Sequence, residues 1–146
     1  MKKLLILLSL TTAMTAFGNN NTNPANMNVS ATIMETLTVR VDQPAEFGKI
    51  AKGTSGNTAI GRFSVKGQGN NQAKITISGL TNNGKLTLRN ISGATISADV
   101  DHTEETLSLK HDEFVAATPI RFTLNVPDNQ QTGLYEGNVT IQARYN

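Results

Sequence analysis

Apolar side chains recur at every second position along most of this chain. Met27, Val29, Ala31, Ile33, Leu37, Val39 and Val41 share one parity, interrupted only by Glu35. Phe63 and Val65 follow, then Ile75 and Ile77, Leu86 and Leu88, Ile96, Ala98 and Val100, and Leu107 and Leu109. The last runs are Ile120, Phe122, Leu124 and Val126, and Val139, Ile141, Ala143 and Tyr145. A period of two places alternate side chains on opposite faces of a strand. Thr and other β-branched residues fill many of the positions between, as a pleated surface favours. No stretch after residue 18 carries the i, i+3, i+4, i+7 pattern, so no helix is predicted there.

Turn residues separate the runs. Pro44 follows the first, and Lys52–Asn57 (KGTSGN) and Gly67–Asn71 (GQGNN) read as loops. Asn83-Gly84 lies between ITISGLT and KLTLRN and predicts a hairpin, because both residues tolerate positive φ. Pro127-Asp128-Asn129 opens a last long turn that closes at Gly133. About eight or nine short strands at this spacing predict an all-β fold, an antiparallel β-sandwich. There is no internal repeat.

The chain has 146 residues, 38% of them hydrophobic, enough for one domain with a core. Residues 1–18 read as a secretory signal peptide. MKK precedes the apolar run LLILLSL, and small residues Ala16 and Gly18 sit at −3 and −1 of a cleavage site. The mature chain is then Asn19–Asn146, and it opens with the Asn-rich segment Asn19–Asn28, a flexible N-terminus. The formal charge of +2 disappears with the leader, since removing Lys2 and Lys3 from the 13 basic residues brings them level with the 11 acidic ones. Electrostatics therefore offers no case for a nucleic acid or an anionic membrane surface as partner. No later apolar run approaches the length of a membrane span. The absence of Cys excludes thiol catalysis, disulfide exchange and Cys-ligated zinc.

Catalytic candidates are few. His102 and His111 lie within the acidic segment Asp99–Asp112, where a metal site or general base could be built. No HExxH-like or EF-hand spacing is present, so they read as solvent-facing residues on strand ends and a loop. There is no GxSxG elbow, and Gly67-Gln68-Gly69 lacks the helix and lysine of a phosphate loop. The N-x-[ST] triplets at Asn20, Asn28, Asn90 and Asn138 are unsurprising in an Asn- and Thr-rich chain. No enzyme activity, metal or cofactor is expected.

Two ends of the chain carry more. The run Met27–Ile33 alternates without Gly or Pro behind a polar leader. It is either the first strand of the sandwich or a strand given to another molecule, where main-chain bonds supply affinity and alternate side chains fill pockets. The C-terminal GLYEGNVTIQARYN alternates up to Tyr145, either as a core strand or as a recognition strand.

Together these ends resemble the subunits of chaperone–usher pili. In that family the C-terminal strand alternates, carries a penultimate Tyr, and follows a Gly fourteen positions from the end. Here Tyr145 is penultimate and Gly133 occupies that position. AEFGKI at Ala45–Ile50 resembles the family's short strand after the first, FSVKG at Phe63–Gly67 the next, and PIRFTLNV with YEGNVTIQARYN the final two. VSATIMETLTV followed by AEFG, with the terminal Y-x-G and V-x-I-x-x-x-Y, also resembles a Cys-free relative of the pilins, an uncharacterised secreted domain. Many pilins tie the first strand to the third through a disulfide; Leu37 stands near the first of those positions and no Cys exists here.

The resemblance implies an immunoglobulin-like sandwich lacking its last strand. A periplasmic chaperone fills the gap first, and a neighbouring subunit's N-terminal extension replaces it at an outer-membrane usher. Carried onto this chain, residues 19–34 form the extension, 35–146 the pilin-like sandwich, and Asn26–Met34 the donor strand, with Met27, Val29, Ala31 and Ile33 filling pockets. Gly137–Tyr145 is the strand the chaperone recognises, with Gly133, Val139, Ile141, Ala143 and Tyr145 as its motif. The expected function is a structural subunit of a surface fimbria, a homopolymer exported through the periplasm to the cell surface. The alternative is a self-complete secreted sandwich acting as an adhesin or ligand-binding domain. The few aromatics of the mature chain, mostly at core parity, favour that alternative less.

Overall fold

The computed structural model describes residues 25–146. The expected leader and the start of the extension lie outside the described residues. Among the described residues there is no helix, so none long and apolar enough to cross a membrane. The described residues form nine strands in succession: β1 (Thr38–Gln43), β2 (Asn57–Lys66), β3 (Gln72–Ser78), β4 (Lys85–Arg89), β5 (Thr95–Val100), β6 (Glu104–Ser108), β7 (Val115–Ala116), β8 (Ile120–Leu124) and β9 (Thr140–Tyr145). All pairings are antiparallel. One sheet runs β1-β2-β8-β5-β4, with β7 also paired to β2, and the second runs β6-β3-β9.

The two sheets enclose one core, giving an antiparallel β-sandwich. Phe63 and Val65 from β2, Leu86 and Leu88 from β4, Ala98 from β5 and Ile120, Phe122 and Leu124 from β8 are buried on one side. Ala73, Ile75 and Ile77 of β3 are buried on the other. Each belongs to one parity of its strand, so the period-two pattern marks the inward face. Ala59 and Gly61 extend the same inward parity at the start of β2, a length that the loop-like KGTSGN and the small side chains concealed.

Several expectations need correction. Of the two readings of Met27–Ile33, the first strand of the sandwich does not hold, since β1 begins only at Thr38. The register explains this: Thr38 pairs with Lys66, the last residue of β2, so earlier residues have no β2 partner. Ala45–Ile50 forms no strand. Pro44 lacks an amide hydrogen and Gly48 has φ +69°, both of which break an extended ladder. Asn83-Gly84 makes a turn, in which the Gly84 amide donates to the Thr81 carbonyl at 2.9 Å, but not a hairpin. The strands it separates, β3 and β4, belong to different sheets, because the chain crosses the sandwich through Gly79 at φ +88°. The true hairpin joins β4 to β5, closed by Asn90, whose side chain accepts from the Ala94 amide at 2.8 Å.

Residues 25–32 carry no helix or strand. The sandwich is a compact unit spanning Ile33–Asn146.

Candidate functional site

Among the described residues β9 lies at the edge of its sheet and pairs only with β3, from Ala73↔Tyr145 to Ser78↔Thr140. Its inward side chains Ile141, Ala143 and Tyr145 are only half-buried, whereas their β3 neighbours Ala73, Ile75 and Ile77 are at most 5% exposed. The same apolar parity buries fully in β3, which is flanked on both sides, and incompletely in β9, which is not. The outer edge of β4 is treated differently: the Arg89 amide donates to the Glu136 carbonyl and the Glu136 amide to the Arg89 carbonyl, at 2.8 and 3.1 Å.

Beside Val139 and Ile141 the sandwich opens into a groove of about 990 Å³. Its floor is the inward face of the large sheet, with Phe63, Leu86, Leu88, Ile120, Phe122 and Leu124. Its opposite wall is Val41 of β1 and the irregular stretch after that strand, with Ala45, Phe47 and Ile50, and Tyr135 with Leu134 stands at one side. A register irregularity between Val41 and Gln43 marks where β1 ends its regular pairing. Val41, paired in register with the buried Phe63 but facing the open groove, is 61% exposed despite its core parity.

The other end of β9 is closed. The Tyr145 hydroxyl donates to the Glu35 carbonyl at 2.7 Å and accepts from the Gln68 amide at 2.8 Å. Gly67 permits this closeness, since a Cβ there would meet Leu37 Cδ2 at 2.5 Å and Tyr145 Oη at 2.8 Å. Tyr145 is therefore a staple within the domain as well as the end of its edge strand.

The predicted site residues separate into three sets. Met27, Val29, Ala31 and Ile33 are exposed and outside any strand; Ile33 is 93% exposed. Val139 and Ile141 line the groove, while Ala143 and Tyr145 do not. The expected recognition strand Gly137–Tyr145 is too long, because β9 starts at Thr140. Gly137 instead lies against β4, where a Cβ would meet the Thr87 carbonyl oxygen at 2.7 Å. Gly133 has φ +146° on the groove rim and joins that crossing segment to the long turn. Sequence reasoning missed the floor and far wall as parts of a site. Their residues carry the same core parity as any buried strand, so no local signal separates a groove floor from a sealed core.

The histidine segment makes no such assembly. His102 Nδ1 sits 2.8 Å from Asp101 Oδ1, and His111 Nε2 is 3.0 Å from Asp112 Oδ2. His102 is half-buried rather than solvent-facing, held between the ends of β5 and β6. Asp99 pairs with Lys85 and Glu104 with Lys74, at 2.7 and 2.8 Å. That lysine, by hydrogen bond and charge, holds the Glu104 carboxyl below its ordinary value. Among the described residues no group of three or more His, Asp or Glu is placed to hold a metal ion.

A family model described as a domain of unknown function, DUF4402, matches residues 47–145. The chain belongs to the DUF4402 family. The match covers the groove floor, its wall from Phe47 and all of β9. It begins after β1, so the N-terminal segment Met27–Ile33 lies outside the DUF4402 region. No curated protein matches the chain.

Proposed function

We propose that this protein is a structural subunit that polymerises by strand donation: residues Asn26–Met34 of one copy enter the groove beside β9 of the next. The observation that carries the reading is the unpaired edge of β9 beside an open apolar groove. An edge strand offers a row of unsatisfied backbone groups, and an added strand satisfies them while its alternate side chains descend into the groove. Met27, Val29, Ala31 and Ile33 supply such a row, exposed in this chain. Burying a Met, Val or Ile side chain contributes roughly 1.5–3 kcal/mol, so the row contributes several kcal/mol in addition to the main-chain bonds.

The resemblance to chaperone–usher pilins extends the reading. A periplasmic chaperone covers β9 until, at an outer-membrane usher, a neighbouring subunit replaces it, and the product is a fimbria on the cell surface. An immunoglobulin-like sandwich short of one strand is the fold that such a subunit has. An exposed apolar groove is an aggregation hazard, which gives a chaperone its physical purpose.

The test uses the mature chain and its Ile33→Asp variant. Placing an unpaired charge in a buried groove costs several kcal/mol. Ile33→Asp should leave the monomer folded by circular dichroism and remove polymers seen by size exclusion and electron microscopy. A variant monomer that unfolds would instead show that Ile33 completes its own domain, as the self-complete alternative requires.

A further inference from the structure

We propose that Tyr145 is a positioning residue, which fixes the root of the N-terminal segment at the closed end of β9 and so steers that segment away from its own groove and into a second copy of this chain. The inference rests on the strand-donation reading above. Glu35 is held twice: its carbonyl accepts from the Tyr145 hydroxyl at 2.7 Å, and its amide donates to Gln68 Oε1 at 3.4 Å. Gln68 is itself tied to the same hydroxyl through its amide at 2.8 Å. The hydroxyl thus joins three parts of the chain: Glu35, three residues before β1, the loop after β2, and the end of β9.

This anchoring restricts what the chain can do with its own N-terminus. Ile33 is two residues from the anchored Glu35, a reach of about 7 Å. The groove opens at Ile141, four strand residues back from Tyr145, or about 13 Å along β9. With Glu35 at the Tyr145 end, Ile33 falls short of Ile141. The segment could lie along its own β9 only by running back from that end, with Met27 deepest, which makes it parallel to β9. Parallel pairing is slightly weaker per residue, and it requires a reversal between Ile33 and Thr38. A segment arriving from another copy has no such root and is free to choose its register and direction.

The experiment compares the mature chain with Tyr145→Phe, which keeps the ring and deletes the hydroxyl. Amide exchange at Glu35 and Gln68 should quicken about five- to tenfold, as expected for the loss of one hydrogen bond of ordinary strength. At equal protein concentration the polymer fraction should fall several-fold in favour of monomer. Ile60→Ala, a half-buried site on the outer face of β2 that lines neither the groove nor the anchor, serves as a control for destabilisation alone and should keep the wild-type partition. Unchanged exchange at both amides would overturn the anchoring. Faster exchange with a wild-type polymer fraction, or the same fall in Ile60→Ala, would overturn the steering. If the unmodified mature chain neither polymerises nor binds a free peptide spanning residues 26–34, the strand-donation reading fails and the steering fails with it; exchange at Glu35 and Gln68 still reports whether the anchor exists.

Discussion

Two glycines show how single residues shape the groove's surroundings. Neither is needed for a positive φ; both allow a close approach. A Cβ on Gly67 would meet the flexible ends of Leu37, Tyr145 and Leu109, whereas one on Gly137 would meet the Thr87 carbonyl oxygen at 2.7 Å, within a paired strand. Side-chain ends can shift, but a strand backbone cannot shift without breaking its ladder. Gly137→Ala should therefore destabilise more than Gly67→Ala in urea unfolding, with overpacking costs of about 1–3 kcal/mol as the scale. Gly67→Ala should carry a second signature, faster exchange of the Gln68 amide, because the tyrosine staple is what it displaces. Charge makes a smaller contribution at this scale. Lys74 depresses the Glu104 pKa, so the pair's stabilisation is present above the unfolded carboxyl's pKa and is lost as pH falls through the lower folded value. Lys74→Met should raise the Glu104 midpoint in a carboxyl NMR titration and flatten that part of the acid-stability curve.

Among the strands, β3 and β9 form a matched pair with unequal burial. Ile75 is fully buried between flanking strands; Ile141 is half-buried at the groove. Ile75→Ala should cost about 2–5 kcal/mol in the monomer, the range for a large side chain deleted from a packed core. Ile141→Ala should cost distinctly less in the monomer and weaken binding of a peptide spanning residues 26–34. Equal monomer costs would show that the β9 flank is as closed as the β3 flank. The inward parity of both strands was readable from the sequence, as was that of β4, β5 and β8, because period two follows directly from the pleat. Burial on the third dimension was not readable. Val41 and Phe63 carry the same parity, yet one is 61% exposed and the other 1%. The difference depends on which strands become neighbours, and strand order is decided by long-range pairing rather than by local pattern. The misplaced hairpin at Asn83-Gly84 has the same origin: the dipeptide specifies a turn, and whether the chain returns to the same sheet depends on Gly79 and the packing of Leu80 against the core.

For the whole molecule, the question is whether the sandwich is complete without its N-terminal segment. Residues 33–146 form a compact unit with a shared core, and among the described residues every buried apolar side chain lies between Ala59 and Leu124. None of the core therefore comes from Met27–Ile33, the run whose alternation first suggested a strand. Physically this separates two roles of the same pattern. In β1 to β9 the apolar parity is used to close the domain; in Met27–Ile33 it is exposed, and its burial must be found elsewhere. The prediction follows directly. A mature chain lacking residues 19–32 should fold, with the β-sheet spectrum retained, because none of the described residues it removes, 25–32, belongs to the core and the Glu35–Tyr145 anchor stays intact. It should form no polymers alone, since it has no strand to donate. It should still accept one: a peptide spanning Asn26–Met34 should bind it and raise its melting temperature in a concentration-dependent way, as expected of a ligand that binds only the folded state. Ile33→Asp in that peptide should abolish the shift. If the truncated chain is unfolded until the peptide is added, the segment completes its own domain; if it folds and the peptide does nothing, the groove beside β9 accepts some other ligand and donation of this segment is the wrong reading.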